Sequence, residues 1–191
     1  WDDLLEQVCF YVLDKQRQGE PAVEVGDVGD FTDTEQEETP DLYRLWPLLP
    51  EGESSLIYGD GASLKSMVAV LASLMVQLPH EAVGMKPVYG NVLYLDYETK
   101  AETLGKRLRK LRRGLGIEGI ARIYYQRRST PIAASLPELR RLIHQIKPAL
   151  LVVDSVAWAC NGDVEKQEPV TGMFTALRSL GTTNLLIGHV P

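Results

Sequence analysis

Cysteine is almost missing from this chain. Cys9 and Cys160 are the only two, and they provide neither a disulfide framework nor the paired spacing of a zinc site. A reducing cytoplasm is therefore the expected compartment. Long apolar runs are also missing. The densest, Met67 to Leu78, is about half of the ~20 residues that a membrane span requires, so a membrane protein of helical type is not expected. Nothing at the N-terminus resembles a signal peptide, since no basic region leads into an apolar one. It begins with Trp1 instead of methionine, which reads as a fragment or a processed product. Basic residues are scarce in the first quarter. Residues 1–50 carry 13 acidic and 3 basic side chains, whereas residues 51–191 carry 13 and 17. The net charge of −6 therefore conceals an acidic appendage beside a mildly basic domain, and such a domain is suited to meet a polyanion.

What is present is an ordinary globular composition, 45% hydrophobic and 24% charged over 191 residues, enough for one sizeable core. Residues 1–18 read as an amphipathic helix, with Leu4, Leu5, Val8, Cys9, Val12 and Leu13 on one face and Asp2 and Asp3 at its start. Residues 19–41 are acidic and poor in large apolar side chains, and read as a linker or loop. Residues 42–191 form the main domain. Its opening stretch, Leu42 to Pro50, is apolar and aromatic, and is expected to pack on the sheet edge; the alternative is a flap beside a bound base.

Beyond it, short apolar runs alternate with helical patterns. Strands are expected at Leu56–Gly59, Asn91–Asp96, Ala121–Tyr125, Leu150–Asp154 and Leu185–His189. Helices are expected at Ser66–Leu78, Thr103–Leu115, Leu136–Ile146 and Val170–Leu180. Five apolar strands alternating with four helices call for an α/β fold, a mostly parallel sheet of five or more strands with helices on both faces.

The first strand runs into Gly59-Asp60-Gly61-Ala62-Ser63-Leu64-Lys65-Ser66-Met67. This stretch fits the phosphate-binding loop pattern G-x-x-x-x-G-K-[ST] at Gly59, Lys65 and Ser66. In such a loop, backbone N–H groups and the helix N-terminus cradle phosphates, the lysine reaches the outer phosphates and the hydroxyl binds Mg²⁺. The glycine expected before the lysine is Leu64, a departure wherever the backbone needs a positive φ.

In a parallel sheet, ligands gather at the carboxyl ends of the strands. Asp96 and Glu98 follow the second strand, Asp154 and Ser155 the fourth, and His189 closes the fifth. An apolar run ending in Asp is the Walker B pattern, so Asp154 is a candidate for orienting Mg²⁺. Glu98 is placed to polarise an attacking water as general base. His189 is a candidate sensor of the terminal phosphate. The bland alternatives are a mere strand-end aspartate for Asp154 and a helix N-cap neighbour for Glu98.

The segments Tyr58 to Ser66, Val92 to Glu98, Leu151 to Ala157 and Leu185 to His189 together resemble the RecA/DnaB-type P-loop ATPase core. Within it, the similarity is to the RepA-like hexameric helicases and related phage or plasmid ATPases. The resemblance covers about residues 46–191. It implies a RecA-like P-loop NTPase fold, an Mg²⁺-ATP site and ATP hydrolysis in a ring, a hexamer, working on DNA. It implies a bacterial, plasmid or phage origin, with Glu98, Lys65 and His189 as catalytic residues and Ser66 and Asp154 at the metal. It also places DNA-contacting loops and an arginine finger beyond Pro191. Two other functions stay open: a P-loop kinase for a small molecule, and a nucleotide-binding scaffold that hydrolyses poorly. For DNA, the loop Trp158 to Pro169 holds Asp163, Glu165 and Glu168 against Lys166 alone, which disfavours phosphate contact. The run Lys106 to Arg113 is the better electrostatic candidate, set against a plain solvated helix face.

Overall fold

The computed structural model describes residues 43–61, 63–160 and 167–189, with Gln167 described as backbone only. The described residues belong to one compact unit, residues 38–191. The expected helix at 1–18, the expected linker at 19–41 and Ala62 of the loop lie outside the described residues.

The main sheet has five strands, all parallel: β3 (Ser54–Gly59), β5 (Val92–Asp96), β6 (Tyr124–Arg127), β7 (Leu150–Asp154) and β8 (Asn184–His189), in the order β3-β8-β7-β5-β6. Every residue of β5 and β7 is buried, as the centre of a sheet covered on both faces requires. The period of two divides their side chains between two cores. Val92, Tyr94, Leu150 and Val152 pack with α1 (Lys65–Gln77) and α2 (Ala101–Gly114). Leu93, Leu95, Leu151 and Val153 pack on the other face with α3 (Leu136–Ile146) and α5 (Gln167–Arg178). A short α4 (Val156–Ala159) follows β7 directly. The in-register pairs Leu95–Val153 and Asp96–Asp154 end β5 and β7 at the same level. This brings the strand-end carboxylates to one edge.

Two features differ from the sequence expectations. The third strand begins at Tyr124, not Ala121. The chain before it is held by the buried Gln77 side chain, whose Oε1 accepts the Arg122 N–H at 3.0 Å, and β6 is an edge strand that tolerates the polar Gln126 and Arg127. The stretch before the P-loop meets the edge strand β3, where Ser55 Oγ donates to the Leu48 carbonyl at 3.2 Å, but it has strands of its own. It forms β1 (Tyr43–Trp46) and β2 (Leu49–Pro50), which join β4 (Lys86–Pro87) in a separate antiparallel sheet. Fully buried Leu45 and Leu49 tie that sheet to the α1 core. Arg44 braces it, donating to Glu51 Oε1 at 2.6 Å and to the Tyr89 carbonyl at 3.2 Å.

Gly90 marks where β5 enters beside β7. A Cβ there would lie 2.1 Å from the Ala149 Cβ, so only glycine lets the two strand starts approach. Gly90→Ala is expected to cost about 1–3 kcal/mol by overpacking. Thermal unfolding should register it as a drop of about 2–4 °C per kcal/mol at this chain size. An unchanged Tm would show that the approach is slack.

Candidate functional site

The loop after β3 closes on itself through Lys65. Its side chain is only 6% exposed, and Nζ donates to the Gly59 carbonyl (2.7 Å), the Asp60 carbonyl (2.5 Å) and Ser63 Oγ (3.0 Å). Ser63 Oγ in turn donates to the Asp60 carbonyl at 2.7 Å. Leu64 stands at φ 63°, ψ 13°, immediately before α1. The left-handed conformation that glycine would supply is thus kept with a leucine, whose side chain is solvent-exposed. An L-residue pays about 1–2 kcal/mol for that conformation, while glycine loosens the unfolded chain by about 0.4–1 kcal/mol. Leu64→Gly is therefore expected to leave Tm unchanged or slightly higher and to preserve nucleotide affinity. Loss of binding by calorimetry would show that the leucine side chain serves the loop in its own right.

Ser63, Leu64, Lys65, Ser66, Met67, Glu98, Arg107 and His189 line one cavity of about 360 Å³. Met67 lines it although its N–H is donated to the Leu64 carbonyl at 2.8 Å. Gly59, Asp60 and Gly61 shape the loop but do not line the cavity. Arg107 was not singled out by the sequence. It sits within a basic run, and only the turn of α2 sends this one guanidinium toward the loop.

Asp96 acts as a scaffold. Buried at the end of β5, its carboxylate accepts the N–H groups of Glu98 (2.9 Å) and Thr99 (2.7 Å) and the Thr99 hydroxyl (2.5 Å). That web presents Glu98 to the cavity. Glu98 Oε1 accepts a hydrogen bond from Ser155 Oγ at 2.5 Å and lies 3.4 Å from His189 Nε2.

Asp154 is 2% exposed. Tyr94, buried beside it, donates its hydroxyl to Oδ2 at 2.8 Å, and Oδ1 is buried with no hydrogen-bond partner. Burial pushes the Asp154 carboxyl above its ordinary pKa, while the hydrogen bond from the Tyr94 hydroxyl pulls it back. Burial, then the Asp154 charge, drive the Tyr94 phenol well above its ordinary value. Tyr94 is thus a part of the arrangement that motif spacing alone did not reveal, and Ser155, already placed at the strand end by the sequence, gains its role only through its contact with Glu98. A tyrosine at an inward strand position reads as core until its hydroxyl is seen to find a partner.

The residues fit a Mg²⁺-nucleotide. An unpartnered buried carboxylate oxygen beside a serine hydroxyl, at the foot of a lysine-bearing loop, is a hard oxygen donor set of the kind that divalent Mg²⁺ favours.

A family model described as an AAA domain matches residues 20–191, reaching into the acidic stretch before the core. No curated protein matches this chain.

Proposed function

The chain belongs to the AAA-domain family of P-loop ATPases, and from that premise we propose that it binds Mg²⁺-ATP in the cavity at the carboxyl edge of the sheet and hydrolyses it. The observation that carries this reading is the convergence of Lys65, Ser66, Glu98, Arg107 and His189 on one cavity with Asp154 buried beside it. In this reading Lys65 and the loop hold the outer phosphates, and Arg107 adds a second cation. Ser66 and Asp154 hold the metal, which when bound neutralises charge on the transferring phosphate. Glu98, oriented by Ser155 and by the Asp96 web, takes the proton of the attacking water at its carboxylate. His189, across from Glu98, offers a hydrogen bond to the terminal phosphate.

The finer proposal is a ring-forming, hexameric, cytoplasmic motor acting on single-stranded DNA. It rests on the resemblance to RepA-like helicases and on the charge of α2. Residues 99–127 hold nine basic and two acidic side chains. Among the described residues, none of the exposed Lys106, Arg109, Lys110 and Arg113 is in an ion pair. No helix among the described residues is long and apolar enough to cross a membrane. The test is phosphate release from ATP with and without Mg²⁺ and single-stranded DNA. Hydrolysis that needs the metal supports the ATPase reading, and DNA stimulation supports the motor. Label transferred to a metabolite instead of water would make the protein a kinase.

A further inference from the structure

Glu98, Asp154 and His189 come from three different strand ends, yet each offers a ligand atom within 4.8 Å of the other two. Within these side chains two atoms have no hydrogen-bond partner and are shut off from solvent: Asp154 Oδ1 and His189 Nε2. Asp154 as a residue is 2% exposed, so its free oxygen is a buried, unpartnered acceptor on a side chain of the cluster. Leaving a buried donor or acceptor unsatisfied costs about 1–3 kcal/mol, and a ligand that meets both atoms recovers that cost. We infer that these three side chains form a binding site for a transition-metal divalent ion, of the Zn²⁺ or Co²⁺ class, which is occupied without nucleotide.

One edge of the cluster already suits such an ion. Zinc bonds of about 2.0–2.2 Å in a tetrahedron separate ligand atoms by about 3.3–3.6 Å, and the Glu98 Oε1 to His189 Nε2 distance is 3.4 Å; Asp154, within 4.8 Å of both, closes the set by a small side-chain shift. Three protein ligands leave a fourth position open, the pattern of reactive rather than structural zinc sites. Both carboxylates already carry outer supports, Tyr94 on Asp154 and Ser155 on Glu98, and such supports orient metal ligands. An imidazole nitrogen beside two carboxylates favours a borderline ion over Mg²⁺, which prefers an all-oxygen shell. The site is therefore chemically distinct from the Mg²⁺-ATP site, although it shares Asp154 with it.

The consequence rests on the hydrolysis reading. A metal held by Glu98 occupies the carboxylate proposed to take the water proton, so micromolar Zn²⁺ inhibits turnover and a chelator restores it. Binding itself does not depend on that reading and is tested separately. Cobalt(II) chloride is added to the nucleotide-free 191-residue chain, and visible d–d absorption is followed by calorimetry on the same sample. Expected is one equivalent of Co²⁺ in a low-coordinate site with intense absorption, displaced by Zn²⁺ and not by millimolar Mg²⁺. The variants His189→Ala and His189→Gln should each weaken it at least about tenfold, the lower end of what even an outer-shell change costs. His80→Ala and His144→Ala should leave it intact. Absorption that survives both His189 variants, is lost in His80→Ala or His144→Ala, or yields equally to Mg²⁺ would overturn the inference. If Co²⁺ binds as expected while ATP is not hydrolysed, the metal site stands and the hydrolysis reading falls.

Discussion

Glu98→Gln is expected to bind Mg²⁺-ATP as the parent does while its turnover falls by ~10²–10⁴, the usual contribution of a positioned general base. The substitution preserves shape. A glutamine oxygen still accepts the Ser155 hydroxyl, and the Glu98 N–H still bonds to Asp96 Oδ1, so the loop keeps its form. Only the capacity to take a proton is removed. Neither Lys65 nor Ser66 is touched, and these are the residues proposed to hold phosphate and metal. Binding measured with a fluorescent ATP analogue and turnover measured by phosphate release should therefore separate cleanly. A fully active Glu98→Gln would exclude this residue as the base. A variant that loses binding in proportion to rate would place Glu98 among the nucleotide's contacts.

The legible parts of the fold were those governed by burial. β7 and α3 lie where the apolar runs put them, because strands buried on both faces and helices with a strong stripe leave little freedom. The loop and the strand-end residues Glu98, Asp154 and His189 were legible for a related reason: polar residues that end apolar strands in a parallel sheet must emerge at the same edge. Short elements were not legible. β2 and β4 are two residues each and both contain proline, so no period exists to read, and they form only because buried Leu45 and Leu49 anchor them to α1. The start of β6 was misplaced because Ala121 and Ile123 continue an apolar alternation that the Gln77 hydrogen bond interrupts. Within the site, the roles of Tyr94, Ser155 and Arg107 depend on which side chains meet across different strands and helices. Sequence separation carries no trace of that. Asp96 illustrates the converse. As a carboxylate beyond an apolar strand it had the same signature as Asp154, yet its oxygens are engaged by the turn that follows.

Asp154→Asn is expected to fail differently from Glu98→Gln, through the metal. A carboxamide fills the same space beside Tyr94, but the negative charge available to Mg²⁺ is gone. Loss of a ligand or of the group that orients its water typically costs 10–100-fold in metal affinity. The half-saturating Mg²⁺ concentration for turnover should rise by about that factor, and excess Mg²⁺ should recover part of the rate. Tyr94→Phe is the companion test. It removes the donor to Oδ2 without changing the charge or the apolar ring. Hydrogen bonding from Tyr94 lowers the Asp154 pKa against burial, which raises it. Without that hydroxyl the pKa climbs further, and protons compete with Mg²⁺ at higher pH. The Mg²⁺ requirement of Tyr94→Phe should therefore exceed the parent's most at acidic pH and converge on it as pH rises, whereas Asp154→Asn, which has no proton to lose, should show a Mg²⁺ defect at every pH. Magnesium titrations of turnover at several pH values, with nucleotide binding measured alongside, decide the matter. A normal Mg²⁺ requirement in Asp154→Asn would move the metal to Ser66 and the nucleotide phosphates, and leave the buried carboxylate as a strand-end anchor for Tyr94.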